Sequence, residues 1–343
     1  RDATPRDAHS STWPSSAMAL LALTCAAQSW ARPPTLTRRE LGSLAGAAGL
    51  AAASSGGLLL PASAGGIPAQ KQPGFKLNTG QAFPTASFGL QVYDDATAQK
   101  LTSLALEVGY RNFFASVLAR NQVGFARAIK ESGVAREDLF ICGSVLSNRV
   151  SGREAARELS AKGCRENMEA FSVGGIEYLD SIMLDYPGPD AESIQGQWEA
   201  LEEMQAQKLT RSICVSNFNP KQLDAVISMG GTVPAINQLP YGVGFSGYYG
   251  GNAAAVLEAN RKRGVLVQAW SPLRKALSGE AKAACADIGK QYGKSAAQVG
   301  LRFLAEQGVA YTTQTKSRAH FEEDLDIFDF KLSSQEIARL AAI

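Results

Sequence analysis

Residues 209 to 241, LTRSICVSNFNPKQLDAVISMGGTVPAINQLPY, hold two apolar runs that each end in hydroxyl and amide side chains. Ser212 to Val215 reads as a buried strand closed by Ser216-Asn217, and Pro234 to Ile236 as a second one closed by Asn237-Gln238. Between them Asn219 is placed to cap a helix, Pro220 suits its first position, and Leu223, Val226 and Ile227 form a helical stripe. The unit is strand, helix, strand. Buried strands that end in polar groups facing one way are the pattern of the catalytic end of a parallel β/α barrel.

The same alternation recurs on both sides of this stretch. Candidate strands are Ala86 to Val92, Tyr110 to Ala115, Leu139 to Leu146, Tyr178 to Leu184, Ser212 to Val215, Pro234 to Ile236, Val265 to Ala269 and Val309 to Thr312. A segment around Phe75 to Gly80 reads as a hairpin closing the bottom of the barrel. Capping boxes mark helix starts at Ser295 with Gln298 and at Ser333 with Glu336. The charged stretch Glu192 to Leu209 reads as a solvated barrel helix. Residues 67 to 343 therefore predict a single (β/α)8 TIM barrel of the α/β class, a fold of about 250 residues, with no second domain.

Composition narrows the chemistry. The chain has 343 residues, is 45% hydrophobic and carries a formal charge of +2, so charge gives no footprint for nucleic acid. Its cysteines show no C-x-x-C spacing, and Cys142 and Cys214 fall inside apolar strands as small buried hydrophobes. Of two histidines, His9 and His320, one alone belongs to the barrel, which argues against a histidine-built zinc site and an ordinary Ser-His or Cys-His pair. No metal site is expected. No Gly-rich G-x-G-x-x-G or Walker loop follows any strand, so a Rossmann or P-loop site is not supported.

Residues 1 to 66 read as a cleaved, disordered targeting leader. Met18 is followed by the apolar run ALLALTCAA, then Arg38-Arg39, an Ala/Gly/Leu-rich stretch and Ala62-Ser63-Ala64. A basic region, an apolar region and an A-x-A site are the parts of an export signal, and the paired arginines resemble a twin-arginine signal. Two such segments in tandem resemble the presequence of a plastid thylakoid-lumen protein, with a bacterial periplasmic protein as the alternative.

VSNF at 215 to 218 followed by Asn237-Gln238, with LNTG at 77 to 80, GYR at 109 to 111, YLD at 178 to 180, WSPL at 270 to 273 and LDIFDF at 325 to 330, resembles the aldo-keto reductase family across residues 75 to 343. The resemblance implies NADP or NAD as cofactor. Ser216, Asn217 and Gln238 take the positions that hold the nicotinamide carboxamide, Trp270 the position that stacks on its ring, and Ser271 and Leu273 follow in the same motif. Around the 2'-phosphate the family's residues fall at Gln314, Thr315 and His320, with Lys316 and Arg318 nearby, and its adenine-binding asparagine becomes Asp324.

The catalytic tetrad is replaced. By local motif its Asp, Tyr, Lys and His fall at Phe114, Ala119, Ser144 and Asp185. A positioned proton donor contributes roughly 10²- to 10⁴-fold in rate, and Ala119 has no proton to give. Tyr93 and Tyr186 occupy aromatic positions of the substrate pocket and read as wall. Tyr241 to Gly251, YGVGFSGYYGG, suggests a lid or a surface that docks on another protein.

The leading expectation is a catalytically degenerate barrel with at most residual nicotinamide-nucleotide or small-ligand binding. Its role would be structural or regulatory in the thylakoid lumen, and a third reading makes it a stable partner in a photosynthetic membrane complex. The alternative is an NAD(P)H-dependent oxidoreductase that reduces a carbonyl with Asp185 as its acid, whose carboxyl an apolar pocket would raise.

Overall fold

Strands β1 (Gly74–Lys76) and β2 (Ala82–Pro84) pair antiparallel as the expected hairpin. Eight parallel strands follow: β3 (Ala86–Gly89), β4 (Asn112–Phe114), β5 (Phe140–Val145), β6 (Leu179–Asp185), β7 (Thr210–Ser216), β8 (Ile236–Pro240), β9 (Leu266–Trp270) and β10 (Ala310–Thr313). They close into one barrel, with β10 pairing β3 at Tyr311 opposite Ala86. This computed structural model describes residues 72–245 and 253–343. The expected leader at 1 to 66, with Arg38-Arg39 and Ala62-Ser63-Ala64, lies outside the described residues, as does the Tyr248-Tyr249 part of the aromatic loop.

The helices are α1 (Asp95–Val108), α2 (Gln122–Ser132), α3 (Arg153–Ser172), α4 (Ala191–Ala206), α5 (Pro220–Ile227), α6 (Ala253–Arg261), α7 (Leu273–Ala276), α8 (Gly279–Tyr292), α9 (Ala296–Glu306), α10 (Arg318–Leu325) and α11 (Ser334–Ala341). Capping boxes at Asn219 with Gln222, Ser295 with Gln298 and Ser333 with Glu336 start α5, α9 and α11, as the sequence predicts.

Two separate apolar cores divide the labour. Phe114, Phe140, Cys142, Met183, Cys214, Ile236 and Ala310 fill the barrel interior together with Leu77 and Phe83 of the hairpin, which plugs the floor. A larger shell between strands and helices includes Phe88, Tyr110, Phe125, Trp198, Tyr311 and Phe321. Side chains alternate between these two environments with the period of two that a strand imposes.

Strand β8 departs from the sequence reading. The predicted strand Pro234 to Ile236 ends where β8 begins, and Asn237 and Gln238 lie inside it instead of closing it. Amides are tolerated there because each finds partners on its own side. Asn237 donates outward to the Phe218 carbonyl (2.9 Å) and to Asn260 Oδ1 (3.0 Å), while Gln238 donates to Gln268 Oε1 (2.9 Å).

Helices α3 and α4 meet backbone to backbone at Gly196, where an added Cβ would sit 1.9 Å from the Arg153 carbonyl oxygen. Gly196→Ala is expected to destabilise by about 3 kcal/mol, since backbone must move to admit the methyl. An unchanged urea midpoint would remove this reason for the glycine.

Candidate active site

Counting inward-facing positions by two from Met183 brings Asp185, the last residue of β6, to the barrel mouth on the axis side. Its register partner on β7 is Ser216, whose partner on β8 is Gln238. Three neighbouring strands thus bring a carboxyl, a hydroxyl and an amide to one level, all buried. The chain leaves β7 through Asn217 with φ +64°, and this left-handed turn lets its backbone N–H donate to the Gln238 carbonyl at 2.9 Å. Asn217 Nδ2 donates to Ser216 Oγ (2.9 Å), and Asn217 Oδ1 accepts from Trp270 Nε1 (3.2 Å). The arc from Asp185 through Ser216 and Asn217 to Trp270 is continuous along one rim.

Burial pushes the Asp185 carboxyl up to about 6, with the adjacent Ser216 hydroxyl pulling the other way. The rise that the sequence reading allowed for this residue is present. Deeper in the barrel, Ser181 Oγ lies 2.7 Å from Cys214 Sγ. Burial raises Cys214 to about 12 and Cys142 well above its ordinary value, so neither thiol is a nucleophile.

At the positions aligned with the tetrad, Phe114 is packed into the barrel interior and Ala119 lies in the turn after β4. Ser144 is fully buried, and its Oγ accepts from the Val117 N–H at 3.1 Å, tying that turn to β5. A tyrosine and a lysine do approach each other past the strand ends, from positions not aligned with the tetrad: the Lys316 ammonium lies 5.8 Å from the Tyr93 ring centroid. Tyr93 also packs in the outer shell against Phe88 (centroids 6.2 Å), and Asn121 Nδ2 donates to its carbonyl (2.8 Å). Tyr186 follows Asp185 with φ +74° and is 37% exposed.

The remaining predicted positions divide. Ser271 has φ +51° and is exposed just past Trp270, whereas Leu273 is turned toward α9, where a Cβ on Gly300 would meet its Cδ2 at 3.4 Å. Thr315 Oγ1 lies 3.2 Å from His320 Nδ1. Gln314 Nε2 donates to Gln91 Oε1 (2.5 Å), and Arg318 is engaged by Glu107 of α1 and by Glu322. Lys316 is exposed, its ammonium 5.8 Å from the Tyr93 ring centroid. Asp324 is buried behind β10 beside Thr313, Tyr110 and Tyr311, and burial raises it to about 7. Its side chain is enclosed by the protein at the position the resemblance gives to adenine.

Gln268 was missed by the sequence reading. It is the one amide in the run VLVQAW, two residues before Trp270 and so on the same inward face, and that spacing was its signal.

These groups fit one end of a nicotinamide nucleotide. A hydroxyl and two primary amides, all neutral and buried, match a carboxamide that both donates and accepts, and the half-buried Trp270 offers an aromatic face. The far end does not fit a 2'-phosphate as well: Arg318 is already paired with Glu107 and Glu322, and Lys316 is an exposed cation close to it in the chain.

Comparison with known proteins agrees with the barrel. The sequence model of the "Aldo/keto reductase family" matches residues 82–343. An "Aldo-keto reductase" of Mycolicibacterium smegmatis is 29% identical over 275 residues, covering 79% of this chain and 93% of the relative. A "Glyoxal reductase" of Bacillus subtilis is 27% identical over 280 residues, covering 81% and 95%. The crystal structure of an aldo/keto reductase from Brucella melitensis superposes with TM-score 0.70 at 26% identity, covering 79% of this chain and 99% of that one.

Proposed function

The chain belongs to the aldo/keto reductase family, and from that premise we propose that it is a nicotinamide-nucleotide-dependent reductase in which Asp185 stands in for the missing acid. The observation that carries the reading is the rim arc, where a buried carboxyl raised to about 6 adjoins a neutral hydroxyl-amide set and Trp270. Ser216, Asn217 and Gln238 would hold the carboxamide of NADP or NAD, and Trp270 would cover one face of its ring. A reduced nicotinamide supplies hydride when bound.

Asp185 in its neutral form has one proton to donate to a carbonyl oxygen as charge develops there, and burial keeps competing water away. Small carbonyl compounds, the class in the name of the Bacillus subtilis relative, are the first substrates to try.

A second reading is binding without turnover, with a structural role in the thylakoid lumen beside a photosynthetic membrane complex, or in a bacterial periplasm. Phe114, Ala119 and Ser144 support it, because none can lower the pKa of a proton donor and Ser144 is committed to holding the Val117 turn.

Titration of the purified protein with NADPH and NADH, followed by a panel of aldehydes, separates the readings. If Asp185 donates, turnover is highest below about pH 6 and falls roughly tenfold per unit above it, because the carboxyl is then ionised. Nucleotide binding with no turnover at any pH leaves the second reading. No nucleotide binding sinks the reductase.

A further inference from the structure

In β/α barrels the loops after the seventh and eighth strands, with the N-terminus of a short helix beyond them, recur as the phosphate-binding position. Here those strands are β9 and β10, paired with Trp270 opposite Thr312, and the short helix is α10. The turn from β10 into α10 runs Gln314, Thr315, Lys316, Ser317, Arg318, and the protein itself occupies most of its polar groups. Gln314 Nε2 donates to Gln91 Oε1 (2.5 Å). Thr315 Oγ1 accepts from the Ser317 N–H (3.1 Å) and lies 3.2 Å from His320 Nδ1. The Arg318 guanidinium donates through Nη2 to Glu107 of α1 and through Nη1 to Glu322 (3.4 Å). Lys316 is exposed, its ammonium over the Tyr93 ring and close enough to Asp94 for their charges to interact. The turn's two cations, Lys316 and Arg318, therefore face the carboxylates of Asp94, Glu107 and Glu322.

We infer that the barrel takes NADH in preference to NADPH, and that Glu107 sets the choice by holding Arg318 away from a 2'-phosphate. This deepens the reductase reading and rests on it. A 2'-phosphate brings a charge of about −1.5 to −2 at neutral pH and calls for a guanidinium to clasp it. Arg318 is the guanidinium of this turn, and clasping a phosphate means leaving Glu107 and Glu322 as bare carboxylates beside the new anion. The unphosphorylated ribose carries a neutral diol in that place and meets neither penalty. Both members of the Arg318–Glu107 pair are about half exposed, so solvent screens the pair and the preference is a matter of a few-fold in affinity. Glu107 lies on α1, more than two hundred residues before Arg318, and is a specificity residue that acts through its partner and not on the reacting atoms.

The test reads binding and not turnover. Dissociation constants for NADH and NADPH are measured by fluorescence at low salt in the wild type, in Glu107→Gln, in Arg318→Gln and in the double variant. The wild type should bind NADH at least roughly threefold more tightly than NADPH, and Glu107→Gln should tighten NADPH roughly three- to fivefold while NADH stays within about twofold. Arg318→Gln alone should leave NADPH within about twofold, because that side chain is already committed, yet should cancel the gain when added to Glu107→Gln. Should a variant misfold, competition against NADH in the wild type gives a second measurement, in which adenosine 2',5'-bisphosphate displaces it less well than 5'-AMP. NADPH bound as tightly as NADH by the wild type, or unchanged NADPH affinity in a folded Glu107→Gln protein, overturns this inference and leaves the reductase standing. Binding of neither nucleotide overturns both.

Discussion

Asp185→Asn should lower turnover by roughly 10²- to 10⁴-fold while the protein becomes more stable at neutral pH. The two effects have one origin. In the folded state the carboxyl titrates near 6, raised by burial from the ordinary 3.8. A carboxyl raised on folding contributes fully below its unfolded value, and that contribution is lost as the pH climbs through the folded value. Above about pH 6 the folded protein therefore carries a desolvated charge, a penalty of up to about 3 kcal/mol before relaxation is allowed for. The isosteric amide cannot ionise and escapes it. Nucleotide affinity should hold within about twofold, because the carboxamide positions are Ser216, Asn217 and Gln238. Unfolding by urea at acid and neutral pH, beside steady-state rates, reads both effects at once. Lower activity accompanied by lower stability would mean that the residue merely holds the rim together.

Asp324→Asn should stabilise by about 2–4 kcal/mol near pH 8 and by almost nothing near pH 4. Asp324 is 4% exposed, and burial raises it to about 7, with the Thr313 hydroxyl only partly offsetting the rise. The Tyr110 hydroxyl nearby is fully buried and acts on Asp324 only through charge and not as a hydrogen-bond donor, so an ionised carboxylate there meets little that solvates it. The sign is that of a raised carboxyl: the penalty opens as the pH passes the unfolded value and is complete above about 7. The asparagine keeps the shape and removes the charge. Urea midpoints at three pH values measure the gain. An equal gain at every pH would assign it to packing and not to ionisation.

The barrel was legible because its strands obey one rule that a sequence exposes, an apolar run that stops at polar groups. Asp185, Ser216, Asn217 and Trp270 came together as their motifs required. The extent of β8 was hidden because Asn237 and Gln238 look like a strand end until Phe218, Asn260 and Gln268 supply their partners. The phosphate end was hidden for a related reason. Arg318 pairs with Glu107, more than two hundred residues away, and Asp324 is enclosed by residues of β10 and by Tyr110. Spacing along a chain gives the order of residues beyond a strand, but it is silent on the groups that a neighbouring helix brings to them.

Strand β3 finds one of its two flanking partners only in β10, more than two hundred residues later. Until that late segment emerges and docks, the nascent sheet has a bare margin of unsatisfied peptide groups on Ala86–Gly89, open to any other extended chain. Maturation is thus an end-to-end event with slow, long-range closure. A shortened polypeptide ending before Ala310 would behave as an adhesive fragment and not as a smaller version of the same molecule.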